Sequence, residues 1–348
     1  MSYTNGLDKP SDYFNTVLWT GTGSTQSVTG VGFQPDWVWI KQRNTSRFHY
    51  IFDSIRGATK KLHSNSTDAE STLSTTLSSF DSDGYTVETD AGVNQSSGTY
   101  ASWNWLASNT TASNTNGSIT STVSANTTSG FSIVSFTGNG TAGATVGHGL
   151  GKKPDIIIEK NRVTTGGYNW NVYSSALGAT YIGSLNGTSS FTTAGATIYW
   201  NDTEPTSNVF YLGSSGQSNT NGAGYIAYCF TSIKGFSKFG SYTGNGSTDG
   251  TFVYTGFKPA WVMIKRTDSA QQWGIMDNKR NTFNPMNAPL FAEDFQAESS
   301  SAFNNFDILS NGMKMKTGDQ WTNASGGTYI YMAFAEEPLV GDNPATAR

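Results

Sequence analysis

The chain has 348 residues, 13% of them charged and 13% aromatic, with 39 glycines and a formal net charge of −4. That balance leaves no basic footprint for nucleic acid. The aromatic content excludes an intrinsically disordered chain, and no apolar run approaches the roughly 18 residues of a membrane-spanning helix. A single cysteine, Cys229, excludes an internal disulfide, and its place in an aromatic segment predicts a small buried core residue.

In chain order, the first predicted strand is Tyr13 to Thr20, closed by the turn Thr20-Gly21-Thr22-Gly23, where glycine supplies positive φ without a Cβ clash. A second strand leads to Pro35-Asp36-Trp37-Val38-Trp39-Ile40-Lys41. Proline is tolerated at the first residue of a strand, and apolar residues on both faces predict a strand covered on both sides. Lys41 at the strand's end is expected to snorkel to solvent. After a middle strand, Phe48 to Asp53, the capping-box pattern Thr67-Asp68-Ala69-Glu70 with Leu73, Leu77 and Phe80 predicts a short helix. Asp83-Gly84 then predicts a hairpin, and Tyr100 to Trp105 an aromatic strand.

The same order recurs twice. Strands Phe131 to Thr137 and Phe236 to Thr243 precede the turns Thr137-Gly138-Asn139-Gly140 and Thr243-Gly244-Asn245-Gly246, read as hairpins. The runs Pro154-Asp155-Ile156-Ile157-Ile158-Glu159-Lys160 and Pro259-Ala260-Trp261-Val262-Met263-Ile264-Lys265 follow, with Lys160 and Lys265 in the column of Lys41. Middle strands, Trp170 to Tyr173 and Trp273 to Asp277, lead to aromatic strands beginning at Tyr225 and Tyr329. The prolines are 119 and 105 positions apart, and each lies 65, 71 or 70 positions before its tyrosine. Glu293 to Glu298 is read as the helical counterpart in the third unit, and Asn311-Gly312 as its hairpin. The period predicts an all-β protein of three tandem β-sandwich (jelly-roll-like) units of roughly 100–120 residues, with one short helix per unit. The expected boundaries are 1–108, 131–233 and 234–339. Residues 109–130, rich in Ser, Thr, Asn and Gly, read as a linker or loop, and 340–348 as a tail.

Chemistry-bearing motifs are scarce. Gly138-Asn139-Gly140-Thr141-Ala142-Gly143 matches the dinucleotide fingerprint, but no helix follows to hold a pyrophosphate. Gly147 to Lys153 resembles a phosphate loop without the required Ser or Thr and ahead of a strand. Asp81-Ser82-Asp83-Gly84 starts like a calcium loop but lacks the later ligands. His49, His63 and His148 are scattered, and no nucleophile elbow is present. No catalytic residue, cofactor or metal site is expected. Core packing accounts for most of the ten tryptophans, but Trp19, Trp200 and Trp321 lie near loops rich in short polar side chains. They are the candidate glycan-binding residues, on the expectation that their rings are exposed.

The run Phe236 to Gly246, the run Phe252-Val253-Tyr254-Thr255-Gly256-Phe257-Lys258-Pro259 to Lys265, and Ala324 to Ala335 resemble a domain family of unknown function found in tailed, often marine, bacteriophages. Asp12 to Val17 with Gly32 to Lys41 looks like the same family's N-terminal unit. The resemblance implies a virion structural protein, tail or fibre related, and carries over no catalytic residues. The expectation is therefore an exterior tail-fibre, knob or adsorption component that binds host-surface glycans and is not an enzyme. The alternatives are a capsid decoration or head-fibre protein and a polysaccharide-degrading enzyme. The expected partners are other virion proteins and further copies of the chain, as a homo-oligomer with a trimer the form expected of a fibre. The N-terminal residues show no signal peptide. With a surface-type composition, this fits a virion protein made in the host cytoplasm, with no nucleic-acid or membrane partner.

Overall fold

A computed structural model describes residues 7–163, 167–193, 195, 197–299, 305–338 and 344. The architecture is all-β. Unit one holds β1 (Phe14–Thr20), β2 (Gln26–Thr29), β3 (Trp37–Gln42), β4 (Tyr50–Asp53), β5 (Lys60–Lys61), β6 (Ser71–Thr72), β7 (Leu77–Asp81), β8 (Gly84–Val87) and β9 (Thr99–Trp105). They form a large sheet of order β1-β9-β3-β4, a small sheet β2-β8-β7 and the ribbon β5-β6. Unit two holds β10 (Ala112–Asn114), β11 (Ser121–Asn126), β12 (Phe131–Thr137), β13 (Ala144–Gly147), β14 (Ile156–Asn161), β15 (Asn171–Ser174), β16 (Gly183–Ser184), β17 (Val209–Leu212) and β18 (Gly224–Phe230). Its sheets are β10-β11-β12-β18-β14-β15-β16 and β13-β17. Unit three holds β19 (Ser237–Thr243), β20 (Phe252–Tyr254), β21 (Phe257–Arg266), β22 (Trp273–Asp277), β23 (Leu290–Phe291), β24 (Phe306–Leu309), β25 (Gly312–Met315) and β26 (Thr328–Pro338), in sheets β19-β26-β21-β22-β23 and β20-β25-β24.

Alternation along the central strands explains the layering. Trp37 and Trp39 of β3 face a core shared by all three units, while Val38 and Ile40 face the core between unit one's own two sheets. Ile156 and Ile158, and Trp261 and Met263, likewise face the shared core, with Ile157, Val262 and Ile264 turned inward to their own units. Pro35 and Pro154 stand just ahead of their strands. Pro259 lies inside β21 at a register shift, where a missing N–H costs no regular ladder bond.

Three local devices recur in every unit. The Gly-x-Gly turns are not hairpins: each passes the chain from the large sheet to the small one, and each is plugged by a buried asparagine. Asn94 Oδ1 accepts from Thr22 N (2.8 Å), Asn219 Oδ1 from Asn139 N (2.9 Å) and Asn323 Oδ1 from Asn245 N (3.0 Å). Only glycine fits the close approach: a Cβ on Gly21, Gly138 or Gly244 would lie 2.3, 2.4 or 2.3 Å from a backbone oxygen. The Tyr100, Tyr225 and Tyr329 hydroxyls each accept one backbone N–H and donate to one carbonyl beside that plug.

Several expectations need correction. Residues 67–80 are not helical but carry β6 and the start of β7, and Glu293 to Glu298 is irregular. Helical turns occur instead at α1 (Ala91–Asn94), α2 (Thr197–Trp200) and α3 (Gly216–Asn219). The Asp90 and Ser215 side chains cap α1 and α3. The segment read as a linker forms β10 and β11. The two hairpins at Asp83-Gly84 and Asn311-Gly312 form as expected.

The lysine column does not reach solvent. Lys41, Lys160 and Lys265 are fully buried, and each ammonium is held by backbone carbonyls, one of them in a neighbouring unit. Lys41 Nζ donates to Arg47 (2.8 Å) and Phe295 (3.0 Å), Lys160 Nζ to Thr67 (3.0 Å) and Tyr168, and Lys265 Nζ to Thr188 (2.8 Å) and Gln271. Unit one thus reaches unit three, unit two reaches unit one, and unit three reaches unit two. The backbone repeats the cycle: Glu70 N donates to Arg162 O, Phe191 N to Thr267 O and Glu298 N to Arg43 O. The three units form a pseudo-threefold assembly within one chain.

Two seams carry a buried charge network and the third an apolar substitute. Arg56 pairs with Asp53, which also accepts from Tyr228 Oη of unit two (2.7 Å), while Glu70 joins Arg56 to Arg162. Arg280 pairs with Asp277 (2.5 Å), which accepts from Trp103 Nε1 of unit one (3.0 Å), while Glu298 joins Arg280 to Arg43. In unit two the corresponding residues are Ser174, Leu177 and Phe191, and the last two pack on the shared core. Removing one member of a buried pair strands the other charge. Arg280→Leu alone is expected to lower stability by ~3–5 kcal/mol. The combination Asp277→Ser, Arg280→Leu and Glu298→Phe, copied from unit two, is expected to recover at least half of that loss in chemical denaturation of the whole chain.

Candidate recognition face

The structure buries two of the three sequence-predicted tryptophans, leaves the third half-buried, and brings none of them together. Trp200, on α2, is buried against Tyr173 in the core of unit two. Trp321 is buried in unit three, its ring lying over Gly274, whose absent Cβ would meet it at 2.0 Å. The expected exposure of these two rings is therefore not found: each fills a gap between sheets. Trp19 is half-buried and stacks on Tyr100 (centroids 5.0 Å apart, 15° between planes). The Phe136–Tyr225 and Tyr242–Tyr329 pairs repeat this stack, which marks it as part of the repeated fold.

A different aromatic pair faces outward. On β20, Val253 points into the core of unit three, so its neighbours Phe252 and Tyr254 occupy the outer face of the small sheet, 43% and 51% exposed. Across the sheet Phe252 stands opposite Lys314 and then Asp307, and Tyr254 opposite Gly312 and then Leu309. The Phe252 ring leans over Gly312, which offers no side chain to lift it. Lys314 Nζ pairs with Asp249 (2.6 Å). Lys238 Nζ donates to Tyr254 O (2.7 Å) and lies 5.2 Å from the Tyr254 ring centroid. Two aromatic rings are thus bordered by ammonium and carboxylate groups, a geometry that stacks on an apolar ligand face while hydrogen-bonding its rim.

The other units lack this pair. Register places Ser27 and Thr29 in unit one, and Thr145 and Gly147 in unit two, where Phe252 and Tyr254 stand. Aligning the three repeats at Val28, Val146 and Val253 is the sequence signal that exposes the difference. Inspecting tryptophans alone passes over it.

Burial perturbs the titratable groups inside the sandwiches. His49, His63 and His148 are each desolvated, which holds them below the usual imidazole range, His63 and His148 to about 4. Burial also lowers Lys41, Lys160 and Lys265 to about 8. Among the described residues no group of three or more His, Cys, Asp or Glu is placed to hold a metal ion, and no helix is long and apolar enough to cross a membrane. A cleft of about 270 Å³ opens where the start of unit one meets the end of unit three, between Asp8–Ser11 and Ala335–Pro338. At the equivalent points of the other junctions, Asp36 accepts from Ala107 N and Asn109 N, and Asp155 from Ser232 N, tying down the chain as it leaves each unit. Unit three has Ala260 there, beside the cleft.

Fold and face together define an all-β protein of three cyclically packed sandwiches with one differentiated outer sheet. The chain belongs to the family described as domain of unknown function DUF7483, whose model matches residues 9–338. No curated protein and no solved structure matches it.

One buried acid sets a pH dependence. Glu159, at the position of Ile40 and Ile264, is fully buried, and Asn171 Nδ2 donates to its Oε2 (3.2 Å). Desolvation raises it from 4.5 to about 8, against weaker lowering by Asn171 and Ser218. The folded state therefore keeps a proton that the unfolded chain releases. The stability this confers is complete below about pH 4.5 and is lost as pH rises toward 8. Urea titrations at pH 5 and pH 8 are expected to show Glu159→Gln gaining on the parent as pH rises. A difference independent of pH counts against a neutral buried acid.

Proposed function

We propose that this chain is an exterior structural protein of a tailed-bacteriophage virion, and that it binds host-surface glycans through the outer face of unit three. The observation that carries the reading is the Phe252–Tyr254 pair, exposed on one unit where its two structural copies carry Ser27 and Thr29, or Thr145 and Gly147. The copies show that the fold does not require aromatic rings there. A contiguous exposed aromatic patch rimmed by polar groups, which folding does not need, is the kind of surface that marks an interaction site. Flat rings present the surface against which the C–H face of a pyranose packs, and Lys238, Lys314, Asp249 and Asp307 supply partners for its hydroxyls. The resemblance to phage structural proteins supports the virion setting. In the particle the chain would act by binding, beside other virion proteins and further copies of itself.

The test is a glycan array probed with the purified chain and with the double variant Phe252→Ser, Tyr254→Thr, which copies unit one. The parent is expected to bind a defined subset of glycans. The variant is expected to lose at least about tenfold in affinity, ~1.4 kcal/mol, with an unchanged melting temperature. Equal binding by both proteins counts against this face as the site.

A further inference from the structure

Residues 108–130 do for unit two something that no described segment does for unit one. The segment closes the side of the sandwich. β11 pairs with β12 residue for residue, from Ser121 opposite Phe136 to Asn126 opposite Phe131. Just before it, Ile119 bridges to Val146 on the small sheet. Ser118 N donates to Thr145 Oγ1 (2.8 Å), and Thr145 N to Ser118 Oγ (2.9 Å). One strand thus stitches the edges of both sheets. Its Ile119 and Val123 lie in a single apolar cluster with Val134, Phe136 and Val146, all buried.

In unit one no described strand pairs with the equivalent edges. β1 takes the place of β12, and β2 that of β13. Among the described residues β1 pairs with β9 alone and β2 with β8 alone. Of the described residues ahead of β1, Leu7 lies away from these edges, its N–H donating to Lys234 O at the junction of units two and three. Yet the apolar floor is present. Val17 and Trp19 stand where Val134 and Phe136 do, and both are only half-buried, while their neighbour Leu18 is 38% exposed. The Trp19 Nε1 is shielded from solvent and has no acceptor among the described residues. Unit three lacks this floor, since Gly240 occupies the position of Val17 and Val134. An open edge beside half-buried apolar side chains is the geometry of strand addition, in which backbone hydrogen bonds give affinity and alternate side chains give fit.

We propose that the open side of unit one, bounded by the edges of β1 and β2 and floored by Val17 and Trp19, receives an extended strand from a partner protein. The partner strand has the chemistry that unit two is given in cis: small hydroxylated residues with β-branched side chains at the positions of Ile119 and Val123. The interface is the intramolecular one between residues 117–126 and unit two, made again at unit one in trans.

Hydrogen exchange on the full chain tests this, with a synthetic peptide of residues 117–126 as the probe and the same peptide carrying Ile119→Asp and Val123→Asp as its control. The peptide is expected to slow amide exchange in residues 14–20 at least about tenfold, and to leave residues 131–137, already covered, unchanged. The control peptide is expected to do neither. No slowing at millimolar peptide, or equal slowing by both peptides, overturns the proposal. Slowing in residues 14–20 that tracks protein concentration without peptide assigns the edge to a second copy of the chain and also overturns it.

Discussion

The structure depends on a shared aromatic core that no single unit closes by itself. Trp37, Trp39, Trp103 and Trp105 meet Phe131, Tyr228 and Phe230 from unit two and Trp261 and Phe334 from unit three, with Trp37 4.5 Å from Tyr228 and Trp105 5.6 Å from Trp261. Burying this surface removes solvent from everything around it, including the three lysines and both arginine networks. Charges taken out of water must be satisfied where they stand. A backbone carbonyl of a neighbouring unit does so for each lysine, and the Arg162–Glu70 and Arg43–Glu298 pairs tie the arginine networks across their seams, which converts a non-directional apolar contact into a fixed cyclic register. The ring nitrogens add to it: Trp170 Nε1 donates to His63 O and Trp273 Nε1 to Ser184 O, each across a seam.

Three copies in one chain act as controls for one another. Where all three agree, as at the asparagine plugs, the tyrosine hydroxyls and the seam lysines, folding explains the residue. Where they differ inside, the differences compensate. Tyr50 fills the space above Gly92 in unit one, and Trp321 fills it from the opposite side above Gly274 in unit three. Where they differ outside, as at Phe252 and Tyr254, no packing demand of the repeated fold explains the change, and the proposed glycan contact rests on that difference.

The strand order was legible because alternation, turn dipeptides and prolines act locally. Asp83-Gly84 and Asn311-Gly312 specify their hairpins whatever surrounds them, and Cys229 is buried as its aromatic neighbours indicate. What was not legible lies between units. Thr67 to Glu70 spells a capping box, but the Thr67 carbonyl takes the Lys160 ammonium and the Glu70 carboxylate takes Arg56 and Arg162. Its polar pattern serves a seam between units instead of a helix end. Lys41 reads as a surface lysine because its carbonyl partner Phe295 is 254 positions away. Trp200 and Trp321 sit among polar residues in sequence, and only packing shows that their rings point inward. In the candidate face, the residue types were visible in Phe252-Val253-Tyr254, but exposure became evident only when register set them beside the other two copies.

The cleft between Asp8–Ser11 and Ala335–Pro338 has a mechanical consequence. Asp8 and Pro338 lie beside one point, across the only junction that is not covalently linked within the described residues. A pull between Asp8 and Pro338 is therefore not transmitted through the three sandwiches in series. It acts first on the seam between units one and three, where the Arg43–Glu298–Arg280 network and the Lys41 carbonyl bonds bear the load together. Mechanically the molecule is a clasp whose catch is that seam, and the strength of the catch sets the force at which it opens.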